Sequence, residues 1–406
     1  EELMNLLATN SKIIVCWAMG LTQHKNSVAT IQEVVNLLLL RGSIGKEGAG
    51  TCPVRGHSNV QGDRTVGIMH KPSAAFNEAI KMNFGFTPPQ QHGYDLVEAI
   101  EAMYENKAKV FFALGGNFLS ASPDTEYTAQ AMKNCRLTVQ VSTKLNRSHL
   151  IHGETALILP CLGRTDKDFQ KSGEQFVTTE NSMGVVQKSQ GVLNPLSEDM
   201  LSEPAIVANL AHKVLGNKHG LNWLAYSENY KLIRADMAKT LEGFKNYEEK
   251  ITQDGGFYLP NGPREGKFKT SSGKAKFTEN IWEQLVVNPD EYLMMTIRSH
   301  DQFNTTVYGL NDRYRGIFNE RRIVFMNPKD MDKAGYEQYE KVDIINEFGG
   351  KKRIAECFLV VPYNIPVGCL ATYFPEANVL IPLKSMADGS HTPTSKSVVV
   401  KLQKIK

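Results

Sequence analysis

Residues 11–62 constrain the fold most strongly. Ser11-Lys-Ile-Ile-Val-Cys-Trp17 is a short apolar run bounded by polar residues and reads as a buried strand, and Ala18-Met-Gly-Leu-Thr-Gln-His24 turns off its end. Val28, Ile31, Val34, Val35, Leu38 and Leu39 then recur at helical spacing, and Arg41-Gly42 closes the segment with a basic last turn and a capping glycine. Next comes Gly45-Lys-Glu-Gly-Ala-Gly-Thr-Cys-Pro-Val-Arg-Gly-His-Ser-Asn-Val-Gln-Gly62, which packs five glycines around one arginine and a run of amide side chains. A strand, turn and helix feeding a second glycine loop fit an open α/β sheet, in which ligands sit at the carboxyl ends of the strands. Met19 to Gln23 would occupy such an end.

Glycine lets backbone approach a ligand and adopt positive φ, so successive N–H groups can converge on an oxyanion. Arg55 adds a planar fork of donors able to hold a carboxylate bidentately, while Asn59 and Gln61 offer paired donors and acceptors suited to a heterocycle edge. The same composition also describes an ordinary solvated surface loop, and both readings stay open on these residues.

The alternation continues. Asp95 to Lys107 predicts a helix with Leu96, Val97, Ile100, Met103 and Tyr104 on one face. Lys109-Val-Phe-Phe-Ala-Leu114 then predicts a fully buried strand with Gly115-Gly-Asn117 at its exit. A helix near Thr125 to Asn134, a strand Leu137-Thr-Val-Gln-Val141 with Ser142 at its exit, and an apolar run Thr155-Ala-Leu-Ile-Leu-Pro160 complete a parallel sheet expected to be covered on both faces. Residues 161–290 are loop-rich and read as returning connections, with a helix beginning at Ser202-Glu203. From 291 the pattern changes to strands, with a glycine hairpin at Glu347-Phe-Gly-Gly-Lys-Lys-Arg353 and a short capped helix between Asn327 and Tyr336. A closed barrel would protect such strand edges. The expected organisation is an α/β parallel-sheet, Rossmann-like unit over 1–160, connecting segments over 161–290, and a mainly β barrel over 291–406.

A chain of 406 residues with a net charge of only +3 gives no electrostatic case for nucleic acid or an anionic membrane, and no basic cluster with interleaved aromatics appears. The six cysteines show no C-x-x-C spacing and read mostly as reduced core residues. No apolar run is long enough to span a membrane and no signal peptide is evident, so a cytoplasmic location is expected.

Trp17-Ala-Met-Gly-Leu-Thr-Gln23, Gly45-Lys-Glu-Gly-Ala-Gly50 and Pro53-Val-Arg-Gly-His-Ser-Asn-Val-Gln-Gly62 together resemble the molybdopterin oxidoreductases of the dimethyl sulfoxide reductase superfamily, formate dehydrogenase alpha subunits above all. The likeness extends to Lys171-Ser-Gly-Glu-Gln-Phe-Val-Thr-Thr-Glu-Asn-Ser182, to Lys267-Phe-Lys-Thr-Ser-Ser-Gly-Lys-Ala-Lys-Phe277, which resembles a short hairpin, and to Thr296-Ile-Arg-Ser-His-Asp-Gln-Phe-Asn-Thr-Thr306. It covers nearly all of the chain. Because the chain opens at Glu1 as if inside a helix, we expect it to be the carboxyl-terminal portion of such an enzyme, and inactive alone.

The resemblance implies a bis-molybdopterin guanine dinucleotide carrying molybdenum or tungsten, a double-psi-type barrel, and an iron–sulfur cluster in a preceding segment. A small oxyanion substrate such as formate and a redox partner protein follow from it. It places Met19, Gln23 and Asn117 against the guanine dinucleotide, although Met19 also suits core packing and Asn117 a left-handed turn. Ser142 stands where many relatives carry an aspartate, Lys171 is aligned with a phosphate, and Glu203 falls near a guanine-binding aspartate while also suiting a helix N-terminus. In the barrel, Thr296, Arg298, Ser299, Gln302, Phe303, Asn304 and Thr305 become binders, joined by Asn378 and Lys396, with Phe374 an aromatic neighbour. Arg55 becomes the residue that holds the substrate, and His57 replaces an amide common in relatives. Two other classes stay open: a cofactor-free scaffold relative, as in respiratory electron-transfer complexes, and an unrelated nucleotide-binding module. The absence of G-x-G-x-x-G and G-x-x-x-x-G-K-[ST] loops argues against the latter.

Overall fold

A computed structural model describes residues 1–283, 285–305 and 307–405. Strand β1 (Ile14–Trp17) pairs in parallel with β2 (Gly50–Pro53), which lies inside the stretch expected to be all loop. The helix Ser27–Leu40 joins them, and Gly42 turns the chain at φ 61°, a conformation open to glycine without the penalty of a Cβ. A second parallel sheet, in the order β3–β4–β5, is built from β3 (Val110–Leu114), β4 (Leu137–Ser142) and β5 (Thr155–Pro160).

The helix Leu96–Tyr104 begins with a reciprocal capping box between Asp95 and Glu98 and buries Val97, Ile100 and Met103 against Ala131, Cys135 and Leu383. Leu96 and Tyr104, expected on that face, are partly exposed at its margins. The larger correction concerns coverage. Only β4 is buried along most of its length, with Val139 and Val141 packed under Ile206, whereas β3 leaves Val110, Phe112 and Leu114 substantially exposed. An apolar run reports a strand; it does not report whether a second layer covers it, and β3 is a sheet edge here.

Residues 161–290 are more than connections. The antiparallel pair β6 (Asp168–Gln170) and β7 (Gly173–Gln175) is followed by a sheet of β8 (Val177–Glu180), β9 (Val185–Ser189) and β10 (Phe257–Tyr258). Helices Glu203–Leu215, Tyr230–Thr240 and Tyr247–Ile251 accompany it, and Val186, Phe244, Tyr247, Ile251 and Phe257 form a core of their own. Ser202 caps the first of these helices, as expected. Residues 267–277 form turns without strand pairing, so the expected hairpin is absent there.

Six strands close the barrel in the order β11–β15–β12–β14–β13–β16: β11 (Tyr292–Ile297), β12 (Ile323–Met326), β13 (Lys341–Phe348), β14 (Lys351–Pro362), β15 (Cys369–Tyr373) and β16 (Val398–Lys404). Strand β15 escaped the sequence pattern because Cys369-Leu-Ala-Thr-Tyr373 lacks a clear apolar alternation. The helix Pro328–Ala334 and the Gly349-Gly350 turn fall where expected. A buried ion pair between Arg353 and Asp124 (2.6 Å) and a hydrogen bond from the Asn378 amide to the Ser120 carbonyl (2.6 Å) tie barrel to sheet. Among the described residues no helix is long and apolar enough to cross a membrane.

Candidate functional site

The turn after β1, the end of β11 and the segment before β16 meet at one place. Gln23 accepts hydrogen bonds there from the Lys396 amide (3.1 Å, to its carbonyl) and from Ser395 Oγ (2.7 Å, to Oε1), while its own amide nitrogen approaches Met19 Sδ. Lys396 Nζ donates to the Thr296 carbonyl, and Thr296 Oγ1 donates to the Ser395 carbonyl at 3.0 Å. Burial, with a smaller push from Arg298, lowers the Lys396 ammonium to about 8. Arg298 is itself partly desolvated, and its guanidinium lies 5.7 Å from the centre of the Phe374 ring. Neither cation has a carboxylate within ion-pair distance among the described residues. Two adjacent, partly buried cations without a counter-charge are poised for an anion.

The rest of the 296–305 loop is wired from behind by Arg321, which sequence reasoning missed. This guanidinium is almost fully buried between Tyr308 and Tyr373, pairs with Glu376 (2.7 Å), and donates to Ser299 Oγ (2.9 Å), Gln302 Oε1 (3.1 Å) and the Phe374 carbonyl (2.9 Å). Ser299 and Gln302 therefore spend hydrogen-bonding capacity on loop shape, Gln302 also donating to the Asn304 carbonyl at 2.8 Å. Phe303 is exposed, and its backbone bonds across the loop to Val307. Thr306, the last residue of that motif, lies outside the described residues.

The glycine-loop residues reach the same loop from the other side. His57 Nε2 contacts the Asn304 amide, and the Asn117 amide donates to the Thr305 carbonyl at 3.3 Å. Asn117 also accepts from Ser148 Oγ (2.9 Å) and has φ −130°; Gly115 and Gly116 carry the left-handed conformations, so the turn alternative for Asn117 falls away. Arg55 is exposed and donates to Gln61 Oε1 at 3.1 Å, which orients the fork without neutralising it. Asn59 bridges Asp63 (2.8 Å) and the Glu180 backbone amide (3.0 Å). Glu180, another residue not anticipated, is 6% exposed and leaves Oε2 without a partner. A cavity of about 740 Å³, within the usual range for ligand sites, is walled by His57, Asn59, Asp63, Arg164 and Glu203 among others. Burial, then Asp63, raises the Glu203 carboxyl above its ordinary value.

Three predicted residues spend their side chains on other contacts. Lys171 points outward and pairs with Glu228 (3.2 Å), Ser142 Oγ donates to the Lys144 carbonyl (2.7 Å), and Asn378 is buried where the barrel meets Ser120. Of the cysteines, only Cys135 and Cys161 are buried, which corrects the expectation of mostly core thiols.

A parallel-sheet unit and a closed barrel that bring donor-rich loops together around unpaired cations define a protein for a large anionic cofactor. Residues 2–151 match the molybdopterin oxidoreductase family and residues 292–399 the molydopterin dinucleotide binding domain; the chain belongs to the molybdopterin oxidoreductases. It is 49% identical to an uncharacterized oxidoreductase of Mycobacterium tuberculosis over 99% of this chain and 52% of that protein. It is 41% identical to the protein YdeP of Escherichia coli over 99% of this chain and 54% of that one. The F420-dependent formate dehydrogenase subunit alpha of Methanocaldococcus jannaschii is 24% identical, covering 86% and 52%. Acetylene hydratase from Pelobacter acetylenicus shares the fold at TM-score 0.65 and 15% identity, covering all of this chain and 62% of that one. The chain thus spans about half the length of the curated relatives it matches. The matched domains support a molybdenum bis-pterin guanine dinucleotide as the cofactor, and the unpaired Arg298 and Lys396 and the open acceptor on Glu180 fit such a group.

Proposed function

We propose that the protein, in its full-length form, is a two-electron oxidoreductase acting on a small oxyanion such as formate, with Arg55 holding the substrate. The observation that carries this reading is the convergence of Gln23 from the first unit and Thr296, Arg298 and Lys396 from the barrel around two cations without a counter-charge. Arg298 and Lys396 would hold the pyrophosphate of one dinucleotide, with Thr296, Gln23 and Met19 alongside. Asn117, Glu203, Asn59 and Gln61 would face the guanine and pterin parts, and Ser299, Gln302, Phe303, Asn304 and Thr305 would shape the enclosing loop. The parallel sheets correspond in this reading to a Rossmann-like half, and the barrel to the double-psi type.

When bound, the cofactor supplies a molybdenum or tungsten centre that exchanges two electrons. The chain's own contribution is to bind and orient. Gln61 holds the Arg55 fork at 3.1 Å, and a carboxylate held on that fork has its reacting end fixed in direction. His57, held against Asn304, stands two residues away and narrows the choice of substrate. An iron–sulfur cluster, a redox partner and a cytoplasmic setting belong to the same proposal.

The test is substitution of Arg55 in the full-length protein, with formate-dependent dye reduction as readout. Arg55→Met and Arg55→Lys should each lower kcat/KM roughly a hundredfold, because an ammonium cannot reproduce the bidentate fork. Unchanged turnover in Arg55→Lys would remove Arg55 from this role. Inactivity of a metal-replete wild type toward formate and other small oxyanions would instead point to the cofactor-bearing scaffold alone.

A further inference from the structure

We infer that Cys16 and Cys52 form a dithiol site that closes to an intramolecular disulfide on exchange with a small-molecule disulfide. The two residues are direct partners in the parallel register of β1 and β2, one strand apart, so their side chains leave the same face. Neighbouring strands lie about 4.8 Å apart, inside the Cα separation that a disulfide spans. Cys16 is exposed and Cys52 half-buried, so a small reagent can reach the pair. Burial raises the Cys52 thiol above its ordinary value, and its register partner Cys16 adds to that rise. The other four cysteines have no such partner among the described residues: Cys135 and Cys161 are buried apart, and Cys357 and Cys369 lie in different barrel strands that do not pair with each other.

The position gives the chemistry a consequence. Cys16 precedes the end of β1, after which the chain turns through Met19 to Gln23, and Cys52 lies three residues before Arg55. A bridge here ties together the strand ends that carry the two loops of the first unit. In the exchange, the thiolate of one cysteine attacks the small disulfide, forming a mixed disulfide and releasing one thiol, which takes up the proton lost from the attacking group. The second cysteine then attacks the mixed disulfide, its proton going to the second thiol released. The protein loses two electrons and two protons, and the reagent gains both.

The experiment treats the full-length protein with oxidised glutathione, then alkylates and maps its peptides under non-reducing conditions. The wild type should yield a peptide pair linked through Cys16 and Cys52, reversed by dithiothreitol, with slower backbone hydrogen exchange over 50–61 in the oxidised form. Cys16→Ser and Cys52→Ser should each trap glutathione on the remaining cysteine, because no resolving thiol is left. The inference is overturned if wild-type protein carries glutathione on either residue without the linked pair, if both thiols stay unmodified in folded protein, or if the link forms to a different cysteine. Circular dichroism of each variant separates a failed fold from a failed exchange.

Discussion

Lys396 shows how one residue's chemistry follows from its surroundings. Its amine is buried beside Arg298 and donates to a carbonyl and a hydroxyl, neither of which supplies charge, so the folded chain holds the proton less tightly than the unfolded chain, whose value is near 10.5. Below about pH 8 both states are protonated and the folded state carries the whole cost. Between about 8 and 10.5 the unfolded chain binds more protons, so stability rises with pH through that window. Relative to Lys396→Met, cofactor-free wild type should therefore gain on the order of 1–3 kcal/mol between pH 8 and 10, measured by urea unfolding. No difference in slope would mean that the ammonium is solvated and not held ready for an anion. Lys396 was visible in the sequence only through family likeness, since a lysine among threonines and serines has no intrinsic signature. Arg55 stood out in the sequence as one arginine among five glycines, but those residues alone left a solvated loop open, and its substrate role came through family likeness. Arg321 was not, because what makes it important is the set of side chains it meets from distant parts of the chain.

At the scale of elements, the 296–305 loop owes its shape to that arginine. Removing a guanidinium that pairs with Glu376 and donates to Ser299 and Gln302 leaves a partly buried carboxylate and unsatisfied loop acceptors. Arg321→Ala should cost roughly 3–5 kcal/mol in thermal or denaturant unfolding and speed hydrogen exchange over 296–305. Arg321→Lys should recover only part of the loss, since one ammonium cannot serve three directions at once. A variant as stable as wild type would show that the loop holds its own shape. Most strands and helices could be read from periodicity and caps: Asp95 and Ser202 mark their helix starts, and the Gly349-Gly350 turn marks its hairpin. The misses share a cause. Strands β2 and β15 are short and built of glycine, threonine, proline and cysteine as much as of branched apolar residues, so pairing with a distant strand makes them strands where composition does not. The hairpin expected at 267–277 came from family likeness, and the segment pairs with no strand among the described residues.

The whole molecule is a parallel-sheet unit, a packed middle region and a barrel; the first and last share a core through Leu383 and are tied by Asp124 with Arg353 and Asn378 with Ser120, with the candidate cofactor loops where these two meet. Fold class and barrel were legible because alternating patterns report layers. Coverage was not: Val110, Phe112 and Leu114 read as interior yet lie exposed on the edge strand β3, a matter of what else packs on the sheet. The central claim is that the convergence of loops holds an anionic metal-bearing dinucleotide. Its most direct test is the metal and guanine nucleotide content of the full-length protein, purified from a host that makes the cofactor, beside an Arg298→Met, Lys396→Met double variant of unchanged fold. Wild type should carry about one molybdenum or tungsten and about two guanine nucleotides per chain, and the variant should lose most of both. Full content in the variant, or neither component in a well-folded wild type, would contradict the account.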